Sequence, residues 1–198
     1  MVERQLRRRG IEDERVLRAM GAVPRERFIP EDRRDRAYRD GAVPIGEGQT
    51  ISQPWIVARM TELLELAGPE RVLEVGTGSG YGAAVLSRCC SHVVTVERRR
   101  PLAERAGAAL AELGYSNVEV RSGDGTAGVE DRAPFDAIVV TAAASEGPPP
   151  ALINQLVAGG ALVCPIEHKR DERLVRMRDG RVETVAAVRF VPLVEGEA

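Results

Sequence analysis

Ten residues, Arg71 to Gly80, leave this chain few folds to choose from: R-V-L-E-V-G-T-G-S-G. Val72, Leu73 and Val75 form a short apolar run with β-branched members, the composition of a buried strand. Glycines follow at alternate positions 76, 78 and 80, and an apolar helical pattern opens at Tyr81. Strand, glycine turn and helix in that order describe the first crossover of a doubly wound parallel sheet. Glycine suits the turn because it reaches positive φ and lets a ligand approach the backbone closely. The helix that follows offers unpaired N–H groups at its start.

A second apolar run, His92 to Val96, ends in Glu97, 21 residues beyond Gly76. A carboxylate at the tip of the second strand can accept both hydroxyls of a ribose, so the pair of features suggests a nucleoside ligand. G-x-G-x-G by itself is a weak signal, and a tight turn near a solvated glutamate would look the same. The preceding strand, the following helix and the distant acid strengthen it. The spacing differs from the dinucleotide pattern G-x-G-x-x-G. Glu74, two residues before the first glycine, would repel a pyrophosphate and face a cation. S-adenosylmethionine carries an ammonium and a sulfonium and no phosphate, so the local chemistry leans toward it over a nicotinamide dinucleotide.

The length of 198 residues fits one domain with a sizeable core. A net charge of -2 argues against bulk nucleic-acid binding and against a polybasic membrane patch. Nearly all positive charge is arginine, Lys169 being the single lysine, which reads as composition bias. No apolar run is long enough to span a bilayer. The first residues lack a signal-peptide core, and their arginines are interleaved with Glu3, Glu12, Asp13 and Glu14, so a cytoplasmic location is expected. Cys89, Cys90 and Cys164 form neither a disulfide framework nor a metal spacing and are expected to be buried thiols. With only His92 and His168 available and no motif around either, a histidine triad or a zinc site is not expected.

Residues 1–40 carry a helical, arginine-rich pattern read as solvated amphipathic faces, with Phe28 and Ile29 placed to dock on the main body. Residues 41–54, G-A-V-P-I-G-E-G-Q-T-I-S-Q-P, contain three glycines and two prolines, which argues against a regular element. Gln49, Thr50, Ser52 and Gln53 put four polar side chains in this stretch. On spacing alone Ser52 or Gln53 reads as a capping residue for a helix from Trp55 to Ala67, with Pro54 in the first turn. Further on, helices are expected from Tyr81 to about Cys90, from Leu102 to Leu113 and from Pro150 to Val157. Strands are expected over 117–121, 135–140 and 161–166. Asp124, in the loop after the third of the five expected parallel strands, is placed to meet a base or to cap a turn. Thr141 and the alanines after it leave room at a strand tip. Asp179-Gly180 reads as the turn of a closing hairpin. The pattern is five β-α repeats followed by an antiparallel pair.

Several blocks then carry a resemblance. G-E-G-Q-T-I-S-Q-P (46–54), V-L-E-V-G-T-G-S-G-Y (72–81), G-D-G-T (123–126), F-D-A-I-V-V-T-A-A-A (135–144) and V-R-F-V-P-L (188–193) resemble the protein-L-isoaspartate O-methyltransferase family, in the same order and over roughly the whole chain. The glycine block is common to class I methyltransferases; the Q-T-I-S-Q-P and R-F-V-P-L blocks are far more specific. The resemblance implies a Rossmann-like α/β fold, doubly wound and mostly parallel, with an antiparallel C-terminal strand pair and an N-terminal helical extension. It implies one domain over 1–198, divided into a segment 1–54 that ends in an active-site loop and a core 55–198.

The implied reaction is methyl transfer from S-adenosylmethionine to the free α-carboxylate of an L-isoaspartyl residue in a damaged protein, with repair through the ester and a succinimide. Ser52 matches the active-site serine, and Thr50, Ile51 and Ser52 the loop over cofactor and substrate. Glu74, Gly76 and Gly78 match the methionine side, Glu97 the ribose partner, and Asp124 with Gly125 the adenine edge. Thr141 is expected beside the cofactor. Val191 and Pro192 match the segment along the substrate backbone. Isoaspartyl proteins and peptides are the implied partners, with no metal, nucleic acid or membrane, and a monomer is expected.

A carboxylate is already nucleophilic near neutral pH, so holding donor and acceptor in line is the main task, and Ser52 is read as orienting and not covalent. Gly82 departs from the family's usual glutamine, Val194 lies where some relatives carry threonine, and E-G-P-P-P (146–150) is unusual. These bear on affinity and loop shape more than on reaction type. Competing readings are a methyltransferase for a small molecule or RNA, a dinucleotide oxidoreductase, and a non-catalytic binding module.

Overall fold

The apolar runs become strands of one sheet because each alternates its side chains between two buried faces. A computed structural model describes residues 1–168 and 171–196; Lys169 lies outside them. In chain order the elements are α1 (Glu14–Ala22), β1 (Val43–Gly46), β2 (Gln49–Ile51), α2 (Pro54–Leu63), β3 (Arg71–Val75), α3 (Tyr81–Ser87) and β4 (His92–Glu97). Then come α4 (Arg100–Glu112), β5 (Val118–Ser122), β6 (Phe135–Val140), α5 (Pro150–Asn154), β7 (Leu156–His168), β8 (Asp171–Arg178) and β9 (Arg181–Val188). The main sheet has seven strands in the order β5-β4-β3-β6-β7-β8-β9. β3 to β7 pair in parallel, and β8 and β9 add antiparallel. The Rossmann-like α/β architecture is thus the expected one, and β8 is the inner strand of the closing pair.

Period-two alternation divides the core. Val72, Val93, Val139 and Val163 face one side with α1 to α4, whereas Leu73, Val94, Ile138 and Leu162 face the other with Leu152 of α5. The N-terminal extension belongs to the first side: Leu6, Ile11, Met20, Phe28 and Ile29 are buried in it. Phe28 meets Tyr81 edge-on at 5.9 Å, so the expected docking of the 28–29 pair is observed. All three cysteines are buried and reduced.

Four expectations need correction. Residues 41–54 are not irregular: β1 and β2 form an antiparallel hairpin. Its apolar face (Val43, Ile45, Ile51) is buried, and Glu47 and Gly48 both take positive φ, the geometry of a tight two-residue turn. Second, α5 stops at Asn154 and β7 starts at Leu156, so Gly159-Gly160 lies inside a strand instead of ending a helix. A Cβ at Gly160 would come within 2.8 Å of the Leu156 side chain, and glycine lets the strand pass. Third, β5 and β6 are joined by short 3-10 turns (Gly125–Ala127 and Glu130–Arg132) and not by an α-helix. Fourth, of the helical pattern in residues 1–40 only α1 is α-helical; 3-10 and π turns make up the other helical pieces.

Candidate active site

The chain leaves β3, builds β4 and β5 on one side, then returns to lay β6 on the other side of β3. Where the order reverses, the C-terminal ends of β3 and β6 diverge, and a cleft of about 330 Å³ opens there. The split is narrow because Thr141, one residue past β6, ties it: its N–H donates to Val75 C=O at 2.8 Å and its Oγ1 to Gly76 C=O at 2.7 Å. A Cβ at Gly76, whose φ is +98°, would overlap that Oγ1. Glycine is therefore required at 76 for both conformation and space.

Two carboxyl groups reach the cleft from neighbouring strands. Glu74 is 2% exposed, and its Oε2 accepts a hydrogen bond from Thr95 Oγ1 at 2.7 Å. Thr95 lies 2.6 Å from Thr77 Oγ1, so that with the Thr95 proton committed to Glu74, Thr77 donates to Thr95. Burial pushes the Glu74 carboxyl up to about 8, against the hydrogen bond from Thr95 and with some help from the negative charge of Glu97. Its Oε1 occupies space that any Cβ at Gly82 would overlap. A buried carboxyl that is costly to ionise favours a cation beside it.

Glu97 is held differently. Its Oε2 accepts from Gly78 N–H at 2.8 Å and its Oε1 from Arg99 N–H at 3.0 Å. Each oxygen keeps a second lone pair, enough for a vicinal diol. The glycine turn contributes shape more than donors. Gly76 and Thr77 N–H both bond to Val96 C=O, and Gly80 N–H bonds to Thr77 C=O. The turn's own amides are therefore already occupied at these positions. No group in this set would welcome a diphosphate; the donors and acceptors fit a ligand cationic at one end and hydroxyl-bearing at the other.

The remaining expected residues divide clearly. Thr50, Ile51 and Ser52 line the cleft from the hairpin side, and Gly78, Gly125 and Thr141 from the sheet side. Val191 and Pro192 line it too, held by Ala143, whose N–H donates to Val191 C=O and whose C=O accepts from Leu193 N–H. Asp124 lies apart: it borders a neighbouring recess. Its Oδ1 accepts from the Thr126 N–H and hydroxyl, and its Oδ2 accepts from Gly196 N–H at 2.6 Å. It acts here as a turn cap and tail anchor, while Gly125 reaches the cleft. Val194 also lines the cleft, as its departure from relatives suggested.

A second groove of about 470 Å³ shares Thr50, Ser52, Thr141 and Val191 with the cleft and continues along Trp55, Ile56 and Phe190. Ser52 borders both spaces. Among the described residues its hydroxyl makes no hydrogen bond within the protein, while its carbonyl accepts from Arg25 Nη2 at 2.7 Å. Thr95, Thr77 and Arg25 were not singled out from sequence. A threonine interrupting an apolar strand was a signal for Thr95; nothing local marked Arg25.

A family model described as protein-L-isoaspartate(D-aspartate) O-methyltransferase matches residues 1–198. The protein-L-isoaspartate O-methyltransferase of Roseiflexus sp. (strain RS-1) is 56% identical over 194 residues, covering 96% of this chain and 88% of the relative. That of Yersinia enterocolitica is 54% identical over 196 residues, covering 98% and 94%. A solved protein-L-isoaspartate O-methyltransferase structure matches with TM-score 0.84 and 31% identity; it covers 97% of this chain, which spans 65% of that one. A Plasmodium falciparum structure of the same description, in complex with S-adenosyl-L-homocysteine, matches with TM-score 0.82 and 27% identity over 98% of this chain and 96% of its own.

Proposed function

The chain belongs to the protein-L-isoaspartate(D-aspartate) O-methyltransferase family, and we propose that Ser52 orients the acceptor carboxylate while Glu74 and Glu97 hold the two ends of the donor. The enzyme transfers a methyl group from S-adenosylmethionine to the free α-carboxylate of L-isoaspartyl residues in damaged proteins and so initiates their repair. Bound in the cleft, S-adenosylmethionine supplies an electrophilic methyl group on a cationic sulfur.

Glu74 holds the ammonium of the amino-acid end, and the arriving cation favours its ionised form. Glu97 accepts the ribose hydroxyls. Gly76, Gly78 and Gly125 let the ligand lie against backbone, Thr141 keeps β3 and β6 at the right separation, and Thr50 and Ile51 cover the cleft. Ser52 donates its free hydroxyl to the acceptor carboxylate, and Val191 and Pro192 lie along the acceptor backbone. With the nucleophile already ionised, alignment accounts for most of the acceleration. Asp124 acts at the adenine edge indirectly, through the Asp124–Gly125 turn.

The observation that carries this reading is the meeting of cleft and groove at Ser52 and Thr50. One space suits a small cationic nucleoside and the other, lined by Trp55, Ile56 and Phe190, an extended peptide. The N-terminal segment 1–54 and the core 55–198 work as one domain. We propose that the enzyme acts as a cytoplasmic monomer on isoaspartyl proteins and peptides; the net charge of -2 supports the part of this reading that excludes nucleic acid and membrane.

The test offers radiolabelled S-adenosylmethionine with two peptides that differ only in an isoaspartyl or aspartyl linkage, to the enzyme and to Ser52→Ala. Base-labile label on the isoaspartyl peptide alone, lost in large part with Ser52→Ala at unchanged cofactor affinity, is expected. Label on both peptides, or full turnover by the variant, would overturn the assigned roles.

A further inference from the structure

Arg25 is an anomaly for a charged side chain. It is 0% exposed, and arginine is rarely fully buried unless paired. Among the described residues no carboxylate lies within ion-pair distance of it. Its Nε donates to Ala37 C=O at 2.7 Å, its Nη2 donates to Ser52 C=O at 2.7 Å, and its planar face lies 4.8 Å from the ring centroid of Tyr81. Nη1 makes no hydrogen bond. Keeping a cation in such a place costs stability, and apolar residues could fill the volume. The position of its contacts supplies a reason.

The Ser52 carbonyl has no donor from the helix that follows. Ile56 N–H, four residues on, bonds to Gln53 C=O, and Pro54 has no N–H. Arg25 fills that vacancy from the N-terminal extension. The same guanidinium lies on Tyr81, the first residue of α3 and the immediate continuation of the glycine turn. One side chain therefore spans the loop that presents Ser52 and the turn that shapes the cofactor cleft. Its fork is rigid and planar, and a lysine could reach one carbonyl but not stack and bridge together.

We propose that Arg25 is a positioning residue for methyl transfer: it sets where the Ser52 backbone stands relative to the glycine turn, and thereby where the Ser52 hydroxyl meets the acceptor carboxylate. The proposal rests on the orienting role of Ser52. Arg25 lines neither the cleft nor the groove, so it acts on the reaction only through the groups it holds, the Ser52 carbonyl and the Tyr81 ring.

A double-mutant cycle of Arg25→Lys and Ser52→Ala decides it, read as kcat and KM for an isoaspartyl peptide beside cofactor Kd and Tm. Arg25→Lys in the wild-type background is expected to lower kcat about tenfold, in line with the sensitivity of in-line reactions to small displacements, with cofactor Kd within about twofold. In the Ser52→Ala background the same change is expected to cost less than about twofold, because the group it positions is gone. Equal losses in both backgrounds, or unchanged kcat for Arg25→Lys, would show a merely structural arginine and overturn the proposal. Should Arg25→Lys show no cooperative melting, Tyr81→Leu, which removes the ring under the guanidinium, is run in the same cycle, and coupling or additivity decides in the same way. Full turnover by Ser52→Ala alone would instead remove the Ser52 role, and the Arg25 proposal with it.

Discussion

On the side of the cleft proposed to hold the donor, Glu74 and Glu97 stand on β3 and β4, inside the parallel sheet and against its core. Their oxygens are oriented by Thr95 and by the Gly78 and Arg99 amides. On the side proposed to hold the acceptor, Ser52 follows the two-stranded β1–β2 hairpin and Val191–Pro192 follows the last strand. Among the described residues their ties are few: Arg25 to the Ser52 carbonyl, and the strand-like pairing of Ala143 with Val191 to Leu193. The donor wall is preorganised by the fold itself; the acceptor wall is assembled from the two ends of the chain. That division suits an enzyme with one invariant donor and acceptors of many sequences, since only the second wall has to accommodate variety.

The sharpest way to break this contrast is Gly76→Ala. The new Cβ meets Thr141 Oγ1 at a φ of +98° that alanine tolerates poorly. Strain of about 1–3 kcal/mol adds to lost Thr141 hydrogen bonds of about 1 kcal/mol each. Calorimetric titration should show cofactor affinity reduced by roughly 100-fold or more, and near-normal affinity would mean that the donor wall yields easily.

Ser52→Ala tests the other wall. One hydrogen bond to a charged group is worth about 1.5–3 kcal/mol, so kcat/KM for an isoaspartyl peptide should fall by about 10- to 100-fold while cofactor affinity stays within twofold. A comparable loss of cofactor affinity would merge the two walls into one.

Glu74 gives a pH signature confined to the donor side. Its carboxyl sits at about 8 in the folded protein against an ordinary value of 4.5. Between those values the folded chain holds a proton that the unfolded chain has released, so this group makes stability fall as pH rises from about 4.5 to about 8. Glu74→Gln should flatten that slope in thermal melts of the ligand-free protein. It should also weaken cofactor binding about tenfold at pH 8, by removing the charge that pairs with the ammonium. An unchanged slope would show that Glu74 ionises freely in the fold.

Val194→Thr is the smallest change, a near-isosteric swap at an exposed edge of the cleft. Cofactor affinity should move by less than about threefold, since an exposed hydrogen bond is worth about 0.5–1.5 kcal/mol. A larger effect would make the C-terminal segment part of the donor wall.

The donor wall was legible in the sequence because its signals are local. The run ending in Val75, the three glycines and the acid at 97 all lie within one strand–turn–helix–strand unit, and that unit carries Glu74, Gly76, Gly78 and Glu97 to the cleft. On spacing Ser52 or Gln53 read as a helix cap, and only the Q-T-I-S-Q-P resemblance pointed to Ser52 as a site residue; the cap falls on Gln53. The hairpin in 41–54 was missed because its turn uses Glu47-Gly48 and not the usual Asn-Gly or Asp-Gly. The Pro150–Val157 helix was overextended because Leu156 onward pairs with β6, a contact no local pattern reveals.

Periodicity and turn chemistry in the chain were enough for the parallel sheet and the location of the cofactor crevice; for the ligand they gave a leaning, which the family resemblance turned into S-adenosylmethionine. Which strand neighbours which, the approach of Gly82 to Glu74, the use of Asp124 as an anchor for Gly196, and the burial of Arg25 against Ser52 and Tyr81 came only from folding. Helix and strand signals act over a few residues along the chain. The contacts that place Ser52 join residues 25, 52 and 81, and their partnership depends on how separate elements pack against one core.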